Sequence, residues 1–202
     1  MDINKAMRKQ SKSYKSFLLL MCFVFFVIQF LFFFSKKYYI FYYVFLVLID
    51  LLILVALIIR INKEKIEFKY DNYYIYIKWG IISKIIRIVC SKIALVHIEN
   101  VDNNEANTID FKIVLISSSK FKNGKMIPIS MNFLKKHAYI SYHYNKIKMQ
   151  NPRVVYFYTI ISAGKVKKYE LLDIIYRTCV YAFFTQATVE KIKLYRTGIK
   201  KN

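Results

Sequence analysis

Two long apolar runs open the chain and then give way to short stretches of strict alternation. Phe17 to Phe34 holds no charge and one strongly polar residue, Gln29. As a helix rising ~1.5 Å per residue it reaches ~27 Å, enough for a hydrocarbon core of ~30 Å. A second run, Tyr38 to Ile59, follows after only Ser35, Lys36 and Lys37. So short a link joins two antiparallel helices and leaves no room for a domain between them. The pattern predicts a transmembrane hairpin with segments at 17–34 and 38–59, behind a basic tail at 1–16. Cleavage as a signal peptide is not expected, because Phe32-Phe33-Phe34 offers no small-residue site.

The charges flanking these runs set an expected orientation. Lys5, Arg8, Lys9, Lys12 and Lys15 precede the first run, and Arg60, Lys63, Lys65 and Lys69 follow the second, against Lys36 and Lys37 between them. Both termini are therefore expected in the cytoplasm of a multi-pass protein of the cell membrane. Tyr38, Tyr39, Tyr42 and Tyr43 suit the outer headgroup region. Asp50 falls near the middle of the second run, where a charge costs ~2.5–3.5 kcal/mol, so it is a candidate intramembrane contact. Gln29 is the obvious partner, although counting from the loop puts the two at depths ~9 Å apart. Three readings of Asp50 follow: a protonated acid bonded to backbone, a contact with a second copy, or a contact with another subunit.

From Ile61 the period changes. Ile66, Phe68 and Tyr70 alternate with Lys65, Glu67 and Lys69, and Tyr73, Ile75, Ile77 and Trp79 alternate with polar neighbours, as half-buried strands do. Gly80 marks a turn into Ile81 to Val89. Further strands are expected over Ile93 to Val101, ending in the polar loop Asp102 to Asn107, and over Phe111 to Ser117. Asn123-Gly124 signals a hairpin returning through Ile127, Ile129 and Met131. Ala138 to Tyr144 and Val154 to Ile161 read as two more strands. A succession of strands without helices between them argues for an antiparallel sandwich or barrel. Beyond Gly164 the period lengthens: Leu171, Leu172, Ile175, Cys179, Ala182 and Phe183 recur at helical spacing, predicting one amphipathic helix that caps the barrel. The expected cytoplasmic domain is 61–197, with a disordered basic tail at 198–202.

Composition adds charge to this picture. Lys and Arg total 33 against 12 acidic residues, a net +21. Such an excess suits anionic partners, nucleic acid or the anionic cytoplasmic leaflet; an AT-rich coding bias toward Lys accounts for it equally well. The candidate lipid-facing cations are Lys63, Lys65, Lys69, Lys84, Arg87, Lys135, Lys136, Lys146, Lys148 and Arg153. Tyr139, Tyr142 and Tyr144, interleaved with the last of these, are the pattern that also stacks single-stranded nucleic acid. Tethering beside a bilayer makes lipid the simpler partner.

Chemistry is sparse. Cys22, Cys90 and Cys179 are odd in number and far apart, which suggests neither disulfides nor a zinc site. His97, His137 and His143 fit no ligand spacing. Ser117-Ser118-Ser119 has no recognisable base, Asn123-Gly124-Lys125 is not a phosphate loop, and no carboxylate pair stands out. Neither a catalytic residue nor a cofactor is expected.

The stretch Phe68 to Val101, with its turn Gly80-Ile81-Ile82-Ser83-Lys84 followed by Arg87 and the Ile93 to Ile98 segment, resembles the start of bacterial PH-like domains. That resemblance implies a membrane-anchored α+β protein: a helical hairpin followed by an antiparallel PH-like β-barrel with a C-terminal helix. It carries no catalytic residues and no ligand. The function expected is a non-enzymatic binding or scaffold module held at the inner leaflet. The alternatives are a small subunit of a larger membrane complex, or a homo-oligomer, using Asp50 as its contact, and thirdly a nucleic-acid binder.

Overall fold

The computed structural model describes residues 3–35, 40–71, 73–80, 83–100 and 110–200. The expected Lys36–Lys37 connection, Tyr38 and Tyr39, Ile81-Ile82, the loop Asp102 to Asn107 and the last two residues lie outside them.

Helix α1 (Ile3–Ser35) and helix α2 (Ile40–Glu64) contain the two apolar runs. Within them, Ser11–Phe34 and Tyr43–Glu64 are long and apolar enough to cross a membrane, and only 0% and 6% of their apolar windows are buried in the structure. The basic N-terminal segment continues α1 as helix. The pair runs antiparallel: the Arg60 guanidinium lies 5.3 Å from the Phe17 ring centroid, and Gln29 donates to Asp50 at the other end.

α2 passes into strand β1 (Ile66–Asp71) with no linker. Three contacts fix the junction. Glu64, buried, lies between Arg60 at 2.7 Å and Lys165 at 2.9 Å. The Gly164 amide donates to the Lys63 carbonyl at 3.1 Å, and that of Gly80 to Lys65 at 2.8 Å. Both glycines have positive φ, and a Cβ on Gly164 would sit 2.5 Å from the Ile66 side chain. Glycine is required there on both counts.

β1, β2 (Tyr74–Trp79) and β3 (Ile86–Val89) form an antiparallel meander whose inner positions, Ile66, Ile75, Ile77, Ile86 and Ile88, are buried. The second sheet, in the order β6-β7-β5-β4-β8, comprises β4 (Ile93–Asn100), β5 (Phe111–Ser117), β6 (Ile127–Pro128), β7 (Phe157–Ile161) and β8 (Phe183–Phe184). Its pairings are antiparallel except for β8, which runs parallel to β4. Among the described residues neither sheet closes, so the expected barrel is replaced by two open sheets.

A bulge between Ile93 and Leu95 places one extra residue in β4. Ile93 and Val96 therefore share one face despite their odd spacing. That face, with Ile98, Phe111, Ile113, Leu115 and Ile161, packs against the first sheet and helices α5 (Lys167–Thr178) and α6 (Gln186–Lys200). The opposite face, with Leu95, Val114 and Ile116, packs against helices α3 (Met131–Lys136) and α4 (Ala138–Gln150).

Four further expectations change. Ala138 to Tyr144 is helix, not strand: Ile140, Tyr144 and Ile147 turn inward together at helical spacing. Ser130 starts α3 by accepting a hydrogen bond from the Phe133 amide at 3.3 Å. Asn123 does take positive φ (62°), yet the turn closes no hairpin, because β6 pairs with β7 rather than β5. The single C-terminal helix is two, split by β8, and the second takes in Gly198 to Lys200, the described part of the expected disordered tail. Asp173 joins the two, holding Arg177 at 2.9 Å and Arg196 at 2.6 Å.

Candidate functional site

Gln29 and Asp50 meet. Gln29 Nε2 donates to Asp50 Oδ2 at 2.6 Å, so the difference in depth counted from the loop does not separate them. Helical side chains lean toward the N-terminus of their own helix. In an antiparallel pair Gln29 therefore leans away from the loop and Asp50 toward it, and each closes part of the gap. Asp50 Oδ1 is buried and accepts no hydrogen bond. One carboxylate oxygen is thus bonded within the hairpin and the other is buried.

The ten candidate cations do not form one face. Lys63, Lys65, Lys69, Lys84 and Arg87 belong to the end of α2 and the first sheet. Lys65 is paired with Glu67 at 3.0 Å. Lys69, Tyr76 and Arg87 are neighbours across β1, β2 and β3, and the Arg87 guanidinium lies 4.3 Å from the Tyr74 ring centroid. Lys135, Lys136, Lys146, Lys148 and Arg153 belong to α3, α4 and the turn after it, on the other side of the second sheet. Of these, Lys148 bends back to donate to the Val154 carbonyl at 2.7 Å.

Lys146 instead lines a cavity of about 540 Å³ between the C-terminal half of α4, the start of β4, residues 154–156 and β8. Lys92, in the single-turn 3₁₀ helix Cys90–Lys92, stands at its other side. The turn is fixed by its own carbonyl: Lys92 O accepts from the Ser118 amide at 2.9 Å and the Ser117 hydroxyl at 3.0 Å.

Beside the cavity the fold gathers all three histidines, which their sequence spacing did not suggest. His97 is on the α4-facing side of β4, bonded to Thr185 at 3.0 Å and stacked on Tyr139, whose ring also meets His143. His137 pairs with Glu99, two residues along the same face of β4. Burial lowers the His97 pKa below the ordinary imidazole range, with Glu99 pulling the other way, and burial together with Lys146 lowers that of His143. The signal available in sequence was the alternation Leu95, His97, Glu99, which puts these residues on one side of a strand; what faced them was not legible.

Lys168 was also missed. Its side chain is fully buried and donates to Asp110 at 2.5 Å, to the Ser162 carbonyl at 2.9 Å and to the Phe111 carbonyl. Burial depresses its pKa, and Asp110 offsets this in part. The group fastens α5 to the ends of β5 and β7. Cys90 and Cys179, both buried, hydrogen-bond each other, and the Cys179 thiol is pushed up. Among the described residues, no three His, Cys, Asp or Glu side chains, the histidines included, are placed to hold one metal ion.

The chain matches no protein-family model, no curated protein and no solved structure. No family is identified, and the functional reading rests on geometry.

Proposed function

We propose that the chain is a membrane-anchored, non-enzymatic binding module, with α1 and α2 spanning the bilayer and the β-rich body and both termini in the cytoplasm. One observation carries this reading: two antiparallel helices keep long apolar surfaces uncovered, Leu19, Phe23, Phe26, Phe30 and Phe33 on the first and Leu48, Leu51 and Leu54 on the second. Exposed apolar area on this scale calls for a bilayer or a protein partner. At ~1.5 Å per residue the two spans reach roughly 36 and 33 Å, a match for lipid. Lys5, Arg8, Lys9 and Lys12 at one end and Arg60, Lys63 and Lys65 at the other favour the same side for both ends. Of the PH-like expectation the proposal keeps the order of parts: hairpin, antiparallel strands, C-terminal helices.

The test is fractionation of cells producing the full chain with a C-terminal tag. The protein should stay in the membrane pellet through an alkaline carbonate wash, and the tag should be digested by protease only after the cells are permeabilised. Release by carbonate would sink the anchor. Digestion of the tag in intact cells would reverse the orientation.

A further inference from the structure

We infer that the cavity between Lys92 and Lys146 is a binding site for an anionic amphiphile, a molecule carrying a phosphate or similar anion on an apolar or aromatic body. The inference adds a ligand class to the binding-module reading, but it does not need the hairpin to cross a membrane.

Charge is the first argument. Among the described residues no acid lines the cavity, and neither Lys92 nor Lys146 has an acidic partner. Of the acids elsewhere, Glu64, Glu67, Asp110 and Asp173 each hold a lysine or arginine of their own, and Glu99 is bonded to His137. Two lysines without acidic partners on the wall of one concavity bias its potential positive. His143, also in the lining, has its pKa lowered by burial and by Lys146. At neutral pH it offers a hydrogen bond without a third charge. The negative C-terminal end of α4 reaches the rim, and Lys146 and Lys148 in its last two turns offset it.

Shape is the second argument. Among its aliphatic and polar residues the wall also carries three aromatic rings: Tyr156, which is buried, Phe183, packed on His143 with ring centroids 4.9 Å apart, and Tyr181, which is 86% exposed. A bare inorganic anion would satisfy the lysines and leave these rings in water. A ligand with an apolar body covers them. The volume of about 540 Å³ lies within the ~300–1,000 Å³ usual for small-molecule sites. Lys92 is carried by a turn held by Ser117 and Ser118, and Lys146 by a formed helix, so both lysines are rooted in fixed elements of the lining.

The test is calorimetric titration of the full chain in neutral detergent with 1-naphthyl phosphate. Inorganic phosphate and 1-naphthol serve as its two halves, and dioctanoyl phosphatidate as the lipid form of the same chemistry. The variants are Lys92→Gln and Lys146→Gln, with Lys135→Gln/Lys136→Gln removing two charges from α3, outside the cavity. One phosphate ester should bind saturably and at least tenfold more tightly than either half. Each cavity substitution should weaken it by about tenfold, the size of one charge-assisted hydrogen bond, and the α3 pair should leave it unchanged. Preference for the phosphatidate would make the ligand a lipid, and preference for the naphthyl ester a soluble molecule; either supports the site. Three results would overturn it: no binding of either ester, naphthol or inorganic phosphate binding as well as the ester, or equal weakening by the α3 pair. None depends on the outcome of the carbonate wash.

Discussion

Lys168→Met is the sharpest test of how the body is held together. The lysine side chain is fully buried and all three of its ammonium hydrogens have acceptors, in Asp110, Phe111 and Ser162. Methionine keeps most of the volume and removes the donors. The Phe111 carbonyl is then left unpaired in the core, at about 1–3 kcal/mol. Asp110 is 27% exposed, so its carboxylate regains water and adds less than a fully buried partner would. The net loss expected is about 2–4 kcal/mol, or roughly 4–16 °C in melting temperature at ~2–4 °C per kcal/mol for a chain of this size. The protein supplies its own reporter. Cys90 and Cys179 are 4% and 1% exposed, and become reactive to a thiol dye only on unfolding. The scan is run on a Cys22→Ser background, because Cys22 is exposed when folded. A melting temperature within 2 °C of the parent (about the resolution of such a scan) would refute the reasoning. So would an equal loss from Asp110→Asn, since that would assign the effect to the ion pair rather than to the buried carbonyl.

Two other outcomes follow from the same contacts. Asp50→Asn keeps an acceptor for Gln29 and should melt at or above the parent, whereas Asp50→Leu orphans the Gln29 amide and should lose about 0.5–2 kcal/mol, the range of interhelical hydrogen bonds in membranes. If the dye scan shows Asn as damaging as Leu, the charge itself is needed and a cation outside the hairpin must face Asp50. Stability should also fall in acid. Burial holds the folded His97 pKa below its ordinary value of 6.5, and His143 shifts the same way. As pH drops through about 6.5 the unfolded chain takes up protons that the folded chain refuses, so stability present above that pH is lost below it. His97→Gln retains a bond to Thr185 and should flatten the decline in melting temperature between about pH 7.5 and 5.5; an unchanged slope would refute the assignment.

What could be read from sequence was whatever a single segment decides for itself. The two apolar helices, β1, β2, β4 and β5 each carry their own period; the structure places the strands within a residue or two of expectation, while the helices run on beyond the apolar segments, to Ile3 in the first and Glu64 in the second. α4 was misread because Tyr139, Ser141 and His143 alternate with Ile140, Tyr142 and Tyr144, a pattern that satisfies the strand period as well as the helical one. Its helical identity comes from the apolar face of β4 and β5 that Ile140, Tyr144 and Ile147 cover. β6 took the wrong partner because a turn signal fixes the turn and not the strand that follows. Lys168 lies in a run with Lys165 and Lys167, where nothing local distinguishes the fully buried lysine from the half-buried Lys165 and the exposed Lys167. The cavity was invisible for a similar reason: its walls come from 3₁₀-turn, strand, loop and helix segments from Ser91 to Phe183, which only the layered packing brings together.

The electrostatic part of the sequence reading changes most. Summed over ten cations at ~1 kcal/mol each, attraction to an anionic leaflet would rival the hairpin as an anchor. The second sheet divides those cations five and five between opposite sides of the body. α2 enters β1 without a linker, and Glu64 ties that junction to both Arg60 and Lys165, so the body cannot roll freely to present one side and then the other. At most one set faces a membrane at a time, and each set has a member already engaged, Lys65 with Glu67 and Lys148 with Val154. That leaves roughly 4 kcal/mol of surface attraction. Burying the side chains of two apolar spans, at ~1.5–3 kcal/mol for each large residue, exceeds it several-fold. In the proposed arrangement the hairpin therefore sets where the protein resides, and charge on the α4 side is left free to select what enters the cavity.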